Sequence, residues 1–580
     1  MQMKKMVILQ MNNSTLMSQH NSFLSPIKNF KWTSLQKNFK LFVTFKSITL
    51  NFHLLLCKFK SKEINKNHKI IFSKRFNPIS YKMNKIFSVF LLIFSFFLYG
   101  QLFAQQALNR AIKRGLDLEY NFKWKQAEDV FQSIIEKYPN DPRGYHYQAS
   151  IYLWRYLSNI DKHDLYKFTA YSDTTIEKAQ KILEKQSNNE KILYTLGADY
   201  SFRTIAFTKA EKFLDAIWSS KKSESYLSET LKVDSTFYDA YLGLGLYNFA
   251  VAQIPSAFRW AFSLAGIKGD KEVGLKYIEI AAQHGDYTKV EAQYFLSQIL
   301  SDFLLDYPKS AFYLENLVER YPGNSLFNYS LAVLQIKRRN LADAKKILTK
   351  IIKGKDTTFK QIIAFSNFLM GDVEFKQNQF KTAITAYLKF LNNTVNNDYK
   401  GIASYRLAIC YDIVGDHADA VKYFELTDKG NPDIEDDVFA EKRGKIYVKR
   451  TLSQNEIKLI KYSNMIDNAK YKAAYDSLSN LLGELQNDKL KAEVYFYLSE
   501  AAYSLGLYKE SLNFSSTAKV LDNFGETWIK PFACYYAALA SKKLKDEQAV
   551  NNFIAEANDY SGYDYEKKLK NMIYALTAKD

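Results

Sequence analysis

The sequence contains few of the residues that build cysteine-rich, collagen-like or turn-rich proteins. Its 580 residues include 3 Cys, 9 Pro and 21 Gly. Cys57, Cys410 and Cys534 are too few for a disulfide framework or a four-cysteine zinc site. The low glycine and proline content excludes collagen and Gly/Pro-rich low-complexity chains, and it disfavours a β-sandwich with many tight turns. With 47% hydrophobic residues, the chain can bury a large core.

The sequence also lacks the motifs of the common enzyme and metal-binding classes. None of the seven histidines has metal-ligand spacing, and there is no Gly-x-Ser-x-Gly elbow. Gly243-x-Gly245 is followed by Asn248 where a dinucleotide fingerprint needs glycine. We therefore predict a protein that is not an enzyme and has no catalytic, metal or cofactor residues. The alternative is an enzyme whose site is a deep pocket within residues 143–290.

The excess of positive charge is concentrated at the N terminus. The formal net charge is +19, and residues 1–82 contain 15 Lys or Arg residues but one acidic residue, Glu63. Residues 105–580 carry a net charge of only +4. Because nucleic-acid binding requires a basic stripe, no nucleic-acid partner is predicted. The 1–82 leader is predicted to be disordered or a gene-model extension with translation starting at Met83; the alternatives are a nucleic-acid arm and a transit peptide.

Residues 83–104 have the composition of a secretory signal peptide. Lys85 supplies the positive start, residues 86–99 carry no charge, and Ala104 ends the exit segment. A helix over 86–99 rises about 21 Å, less than the roughly 30 Å of a bilayer core, which favours cleavage over a permanent anchor. We predict a bacterial protein that is periplasmic or secreted after cleavage near Ala104. The alternative is a membrane-anchored protein.

From residue 108 onward, apolar residues have helical spacing, and small residues recur four positions before large ones. These pairs are Ala127 and Phe131, Ala344 and Leu348, Ala383 and Tyr387, Ala420 and Phe424, Ala474 and Leu478, and Ala549 and Phe553. In the first unit, Gly115 precedes Ala127 by twelve residues and Pro139 follows Phe131 by eight. Gly371, Ala408 and Pro432 occupy corresponding positions in later units.

This pattern resembles the tetratricopeptide repeat (TPR) family. The resemblance implies hairpins of two antiparallel helices, in which small residues let the backbones approach and a large residue fills the adjoining hole. It implies an all-α solenoid of stacked hairpins, with an N-terminal section at 105–290 and a C-terminal array at 291–580. Residues 143–290 are less regular, with helices predicted near 142–158, 161–186, 188–218 and 222–233.

Residues 243–275 are similar to a motif of the inclusion-body-clearance family of TPR proteins. Gly243 and Gly245 precede Pro255, which should break a helix, and Asp270 is placed to cap the next helix. One interpretation is an apolar hairpin, residues 254–267, that contacts a membrane or a partner. The other is packing inside the superhelix.

The TPR resemblance further implies a concave groove lined by the first helix of each hairpin. In the family's frame, the second, fifth, ninth and twelfth positions of a unit face that groove. Carried over to this sequence, the groove residues are Tyr329, Val333, Phe365, Phe368, Asp372, Phe375, Tyr405, Ile409 and Asp412. Such a groove would bind apolar protein or peptide segments, with its few charges fixing their register. The alternative is that these side chains only contact neighbouring repeats.

The sequence therefore predicts a non-enzymatic interaction scaffold that is exported to the bacterial envelope and needs no cofactor. The alternative function is an envelope assembly factor held at the membrane. It would use residues 86–99 if the signal is not cleaved, or residues 254–267.

Overall fold

Every element that the structure describes is a helix. The computed structural model describes residues 105–254, 266–354, 359–485 and 490–578, together with residues 103 and 263. The basic leader 1–82 and, apart from Phe103, the predicted signal 83–104 lie outside the described residues. Of the described residues, those up to Arg114 belong to one compact unit and those from Gly115 onward to another. Of the first unit, the structure describes Phe103 and residues 105–114, all helical.

Twenty-four α-helices are described, in chain order. They are α1, residues 105–120; α2, Trp124–Lys137; α3, Pro142–Asn159; α4, Lys162–Leu183; α5, Glu190–Lys209; α6, Phe213–Val233; α7, Ala240–Ala252; α8, Lys271–His284; α9, Lys289–Asp302; α10, Tyr307–Arg320; α11, Ser325–Lys337; α12, Leu341–Ile352; α13, Lys360–Lys376; α14, Phe380–Asn393; α15, Lys400–Val414; α16, His417–Glu425, followed by a 3₁₀ turn, Leu426–Lys429; α17, Glu435–Tyr447; α18, Gln454–Asp467; α19, Tyr471–Glu484; α20, Lys491–Ser504; α21, Tyr508–Val520; α22, Ile529–Lys543; α23, Glu547–Asp559; and α24, Glu566–Thr577.

One turn geometry recurs between the two helices of many hairpins. A residue with positive φ ends the first helix, and the next backbone N–H donates to the carbonyl five residues earlier at 2.8–3.0 Å. This is the Schellman turn, which satisfies the last carbonyls of a helix. The positive-φ residues are Phe122, Glu211, Arg339, Asn378, Gly415, Ala469, Gly506 and Lys545.

The turn at Glu211 corrects a predicted helix boundary. Periodicity predicts one helix over 188–218, but α5 ends at Lys209 and α6 begins at Phe213. Glu211 has a φ of 59°, and the N–H of Lys212 donates to the Phe207 carbonyl at 2.8 Å. Nothing in the local sequence marks this stop, because neither glycine nor proline stands there.

Five of the six predicted small-and-large pairs are buried in the hairpins. Ala127, Phe131, Ala383, Tyr387 and Ala408 are fully buried, and Ala420 and Phe424 are 2% exposed. A Cβ on Gly371 would lie 2.6 Å from the ring of Tyr387, and one on Gly115 would collide with the ring of Phe131. Each aromatic ring therefore fills the space that the glycine leaves free. Pro139 and Pro432 lie exposed in the turns that end their units.

The last hairpin differs from its predicted alignment. Ala549 and Phe553 are only partly buried, whereas Val550 and Ala557 on the same helix are 5% and 1% exposed. The buried face of α23 is thus turned by about one residue, because Val550 and Ala557 rather than the predicted pair point into the core.

Glycines bring α7 and α8 into backbone contact. A Cβ on Gly245 would lie 2.9 Å from the carbonyl oxygen of Gly274, and one on Gly274 would lie 2.6 Å from the backbone nitrogen of Phe249. Asp270 caps α8 as predicted, accepting hydrogen bonds from the N–H groups of Glu272 and Val273 at 2.9 and 3.0 Å. Most of the predicted 254–267 hairpin lies outside the described residues.

Within residues 115–580, helices far apart in sequence meet inside the solenoid. Tyr120 packs on Tyr321 with ring centroids 5.5 Å apart, and its carbonyl accepts a hydrogen bond from the Asn324 amide at 2.9 Å. At the other end, Asn571 of α24 donates to the carbonyl of Asp302 at 2.6 Å. Helix α3 also packs against α13. The concave side is therefore largely filled by the protein itself.

Candidate partner-binding cavity

A cavity of about 290 Å³ remains inside the C-terminal half of the solenoid. Helices α13, α15, α17, α18 and α20 form its walls, the loop between α21 and α22 lies at one side, and Tyr565 reaches it from the start of α24. Apart from α17, which packs mainly on α15, the wall helices are the first helices of their hairpins. The cavity is thus the part of the concave side that other helices leave open.

Two apolar side chains at the cavity are exposed to solvent. Ile446 is 46% exposed and Phe524 is 51% exposed, and both contribute to the lining. Phe524 also has a φ of 47°, a left-handed conformation that costs free energy for a bulky residue. Asp522 and Asn523 stabilise this loop, since their side chains accept the N–H groups of Phe524 and Gly525 at 2.8 and 3.3 Å. The fold therefore holds an aromatic side chain at the cavity's edge under backbone strain.

Ion pairs stiffen the cavity walls. Arg450 binds Glu456 at 2.6 Å, and Lys376 binds Asp467 at 2.8 Å. Burial would raise the pKa of Glu456, but hydrogen bonds from Arg450 and from Ser453 lower it to about 2. Glu456 therefore stays ionised at any physiological pH.

Two further pairs connect distant segments across the cavity. Arg443 of α17 binds Glu526 in the loop after α21, and Arg339 binds Glu500 of α20, 161 residues away. Because each pair joins two segments that the chain order does not bring together, the walls depend on the tertiary fold for their shape.

Glu493 differs from the other carboxylates of the lining. Within the part of the chain that the structure describes, its side chain makes no hydrogen bond and no ion pair. Burial raises its pKa, the charge of Arg443 lowers it, and that of Glu456 raises it further. One acidic group of the cavity is therefore left without a cation in contact.

The nine predicted groove residues fall into two sets. Phe375, Tyr405 and Ile409 line the cavity. The other six do not line it: Tyr329, Val333, Phe365, Phe368, Asp372 and Asp412. Burial does not separate the two sets, because these six are 2–8% exposed and Tyr405 and Ile409 are 7% and 4% exposed. All nine belong to the first helices α11, α13 and α15, as the TPR frame implies.

The buried polar members of the groove set make structural contacts. The Asp372 carboxylate accepts a hydrogen bond from the Tyr387 hydroxyl at 2.7 Å and pairs with Arg406. Asp412 accepts the N–H of Leu452 at 2.6 Å. These carboxylates are thus used by the protein's own helices and loops. The sequence does not reveal this, because Arg406 and Leu452 lie 34 and 40 residues away.

Residues 143–290 contain a buried polar network that resembles a catalytic arrangement in composition only. His146 Nδ1 lies 3.1 Å from Asp199 Oδ1, and the Ser172 hydroxyl donates to Asp199 Oδ2 at 2.5 Å. Arg203 Nε donates to Ser172 at 2.6 Å. A serine nucleophile would instead contact the histidine. His146, Ser172 and Asp199 are 0–2% exposed, so the network connects α3, α4 and α5 rather than facing a substrate.

The two cysteines of the described ranges are poor nucleophiles. Cys410 and Cys534 are both buried. Burial raises the pKa of Cys534 to about 12 and also raises that of Cys410, so both remain thiols at neutral pH.

No arrangement of three or more His, Cys, Asp or Glu side chains among the described residues could hold a metal ion. In the same ranges, no helix combines the length and apolar character needed to cross a membrane.

Two family models match the sequence. Residues 95–141 match a tetratricopeptide repeat model, and residues 176–436 match the model described as Iml2/Tetratricopeptide repeat protein 39. This is a TPR protein. The second match covers the stretch 243–275, for which the sequence predicts a resemblance to inclusion-body-clearance TPR proteins. The TPR families matched here consist typically of non-enzymatic scaffolds.

Solved structures are also similar to this TPR protein at low identity. Yeast Tom70 is 14% identical, with 82% of this chain and 96% of that chain covered and a TM-score of 0.23. The P58(IPK) TPR domain is 14% identical, with 65% and 94% covered and a TM-score of 0.19. Human IFIT1 in a dimer with m7Gppp-AAAA is 14% identical, with 71% and 94% covered and a TM-score of 0.32. Among curated proteins, none matches the chain.

Sequence reasoning missed most of the cavity. Arg443, Glu493, Phe524 and Tyr565 lie outside the three units on which the groove is predicted. Arg443 and Glu493 are charged residues within helices, whereas Phe524 lies in a loop and Tyr565 directly precedes α24, so no shared local signal marks the four.

Proposed function

We propose that this TPR protein is a non-enzymatic scaffold that binds a segment of a partner protein in the 290 Å³ cavity. TPR domains generally bind protein segments, and three of the predicted groove residues line this cavity. The observation that carries the proposal is the exposed apolar pair Ile446 and Phe524 at the cavity's edge. Exposed apolar side chains beside a concave surface are typical of interaction sites.

The unfilled space supports the same function. A cavity beside Phe524 forgoes the packing that a filled core would gain. This cost is expected where a surface serves a partner rather than the fold.

A site-specific crosslinking experiment tests the proposal. Benzoylphenylalanine replaces Phe524 in the full-length protein in its native cells, and Phe312, which is 62% exposed but not part of the cavity, provides the matched control. We expect a discrete crosslinked partner from position 524 that is absent from position 312. Adding Ser463→Trp, which fills the cavity from α18, should reduce the yield at least fivefold. Equal yields from both positions, or no effect of Ser463→Trp, would contradict the proposal.

We also propose that the protein is exported and that its signal is cleaved near Ala104. The uncharged stretch 86–99 after Lys85 supports this localisation. Terminal peptide analysis of the native protein should find an N terminus near Gln105 in an envelope fraction that high salt or carbonate releases. An N terminus within residues 1–82, or retention in the membrane after carbonate washing, would show that the cleaved-signal proposal is wrong.

A further inference from the structure

Every carboxylate of the cavity lining but one has a cation in contact. The four pairs are Glu456 with Arg450, Asp467 with Lys376, Glu500 with Arg339, and Glu526 with Arg443. The third arginine of the lining, Arg406, forms an ion pair with Asp372. Glu493 is the fifth carboxylate, and it has no such partner among the described residues.

Glu493 lies on the cavity side of α20, among aromatic side chains. Tyr497 stands one helical turn further along α20 and also lines the cavity, as does Tyr405 from α15. Burial raises the pKa of Tyr497, and the charge of Glu493 is the next cause, which places the carboxylate close to that ring. A carboxylate beside aromatic rings is an environment that favours a cation, through a charge-assisted hydrogen bond and cation–π attraction.

We infer that the cavity receives a lysine or arginine side chain of the partner segment, with Glu493 as its counter-ion. The inference rests on the proposed function and names the chemistry of the bound segment. One positive charge would pair the one carboxylate of the lining that has no cation in contact. The aliphatic stem of the incoming residue would pass between the apolar side chains at the cavity's edge, Ile446 and Phe524.

Because the carboxylate of Glu493 is partly buried and unpaired, binding a cation beside it would lower the free energy of the complex. A charge removed from water without a partner destabilises the fold, and the raised pKa of Glu493 reflects this penalty. A cationic ligand would remove the penalty when it binds. The neighbouring Arg443 does not compensate fully, because its guanidinium binds Glu526.

Small amides serve as probes because the partner is not identified. Saturation-transfer NMR on the full-length protein would compare N-acetylarginine amide and N-acetyllysine amide with the neutral N-acetylcitrulline amide and N-acetylnorleucine amide. We expect the cationic amides to bind at least tenfold more tightly than their neutral counterparts. Equal binding of the cationic and neutral amides would overturn the inference.

The variant Glu493→Gln should weaken binding of the arginine amide at least tenfold. The matched control, Glu510→Gln, removes an exposed glutamate from the next helix, α21, and should leave binding unchanged. Glu493→Asp keeps the charge and should restore part of the affinity. Thermal unfolding should show Glu493→Gln to be no less stable than the wild type, since no contact is lost. Unchanged binding by Glu493→Gln would overturn the inference.

The two proposals fail in different ways. If the Phe524 crosslink forms and depends on the cavity but is unaffected by Glu493→Gln, the protein binds a partner segment. The inference that this segment inserts a lysine or arginine side chain is then wrong. If the arginine amide binds through Glu493 but no cavity-dependent crosslink forms, the cavity binds cations and the scaffold function at this site is wrong.

Discussion

Helices α7 and α8 and the cavity region use the same hairpin fold in opposite ways. At α7 and α8, glycines replace side chains, and the backbones approach until Gly274 contacts Gly245 and Phe249. Around the cavity, long side chains such as Arg443 and Glu493 keep the helices apart and leave about 290 Å³ unfilled. The difference shows that side-chain size along the facing helix surfaces decides whether a hairpin array closes or keeps space for a ligand.

The residues at the two places also differ in what they can recognise. Gly245 and Gly274 make close backbone contacts between α7 and α8 and carry no side chain, so these glycines act in packing. The cavity presents aromatic and ionised side chains on several helices. The close-packed helices α7 and α8 and the cavity are therefore separate parts of the solenoid.

Ala420→Trp tests whether the seams near the cavity are as tightly packed as those elsewhere. Ala420 is 2% exposed and Phe424, one turn on, is equally buried, so an indole cannot fit without moving α15 and α16 apart. We expect a loss of about 4 kcal/mol through overpacking, measured as a shift of the urea midpoint. An unchanged midpoint would mean that the seam alignment of this unit is wrong.

Gly245→Val tests the close approach of α7 and α8. Its Cβ would lie 2.7 Å from Ile278 and 2.9 Å from the Gly274 carbonyl, and a backbone carbonyl cannot move aside. The expected loss is about 3 kcal/mol. Gly483→Ala is the control, because nothing lies within 4 Å of its Cβ position on α19; it should gain about 0.5 kcal/mol. If both variants unfold at the wild-type midpoint, α7 and α8 are not in the close contact described.

Buried acids make stability depend on pH. Burial raises the pKa of Glu291 in α9 and of both Asp436 and Asp437 in α17 to about 7. Acids with a raised folded pKa stabilise the fold at low pH, and this contribution is lost as pH rises through about 7. Between pH 5 and 8.5 we expect each acid to cost about 2 kcal/mol of stability. Glu291→Gln and Asp436→Asn should each remove part of that fall; a wild-type stability that is flat over this range would contradict the assignment.

The recurrent hairpin turn gives a smaller effect that is common to the whole array. Gly415 has a φ of 91° and Lys545 a φ of 62° at equivalent turn positions. Gly415→Ala should therefore cost about 1 kcal/mol, and Lys545→Gly should gain up to about 1 kcal/mol. Calorimetry of the pair checks the sign of each effect, and effects of the same sign in both variants would show that the turns are not equivalent.

Ser463→Leu tests whether the cavity, unlike the contact between α7 and α8, accepts a larger side chain. Ser463 lines the cavity, and its hydroxyl bonds only within its own helix, to the Ile460 carbonyl at 3.1 Å. Added methyl groups would enter empty space, so we expect stability to change by less than about 0.5 kcal/mol. A loss comparable to that of Gly245→Val would mean that the space is not accessible to side chains.

The seams of the hairpins could be predicted because they depend on residues close in sequence. Gly371 and Tyr387, for example, face each other across one hairpin, so their spacing of sixteen residues is enough to predict the contact. Helix boundaries were less predictable. The stop at Glu211 depends on a left-handed backbone that a glutamate rarely adopts, and no residue type marks it.

The candidate site was predictable only in part, for a different reason. The TPR frame identifies the helices that face inward, and Phe375, Tyr405 and Ile409 do line the cavity. Tyr329 and Phe368 share the frame position of Tyr405 but do not line the cavity. Which inward residues line the cavity depends on contacts between distant segments, such as Asn571 with Asp302 and Arg339 with Glu500.

By itself the sequence determined the all-α repeat architecture, because helical periodicity and the small-and-large seams act over fewer than forty residues. The tertiary structure alone decided where that architecture leaves a cavity and which carboxylate in it lacks a partner. The empty space and the pairing of charges inside a solenoid depend on residues from many segments. A short stretch of sequence contains only a few of those residues.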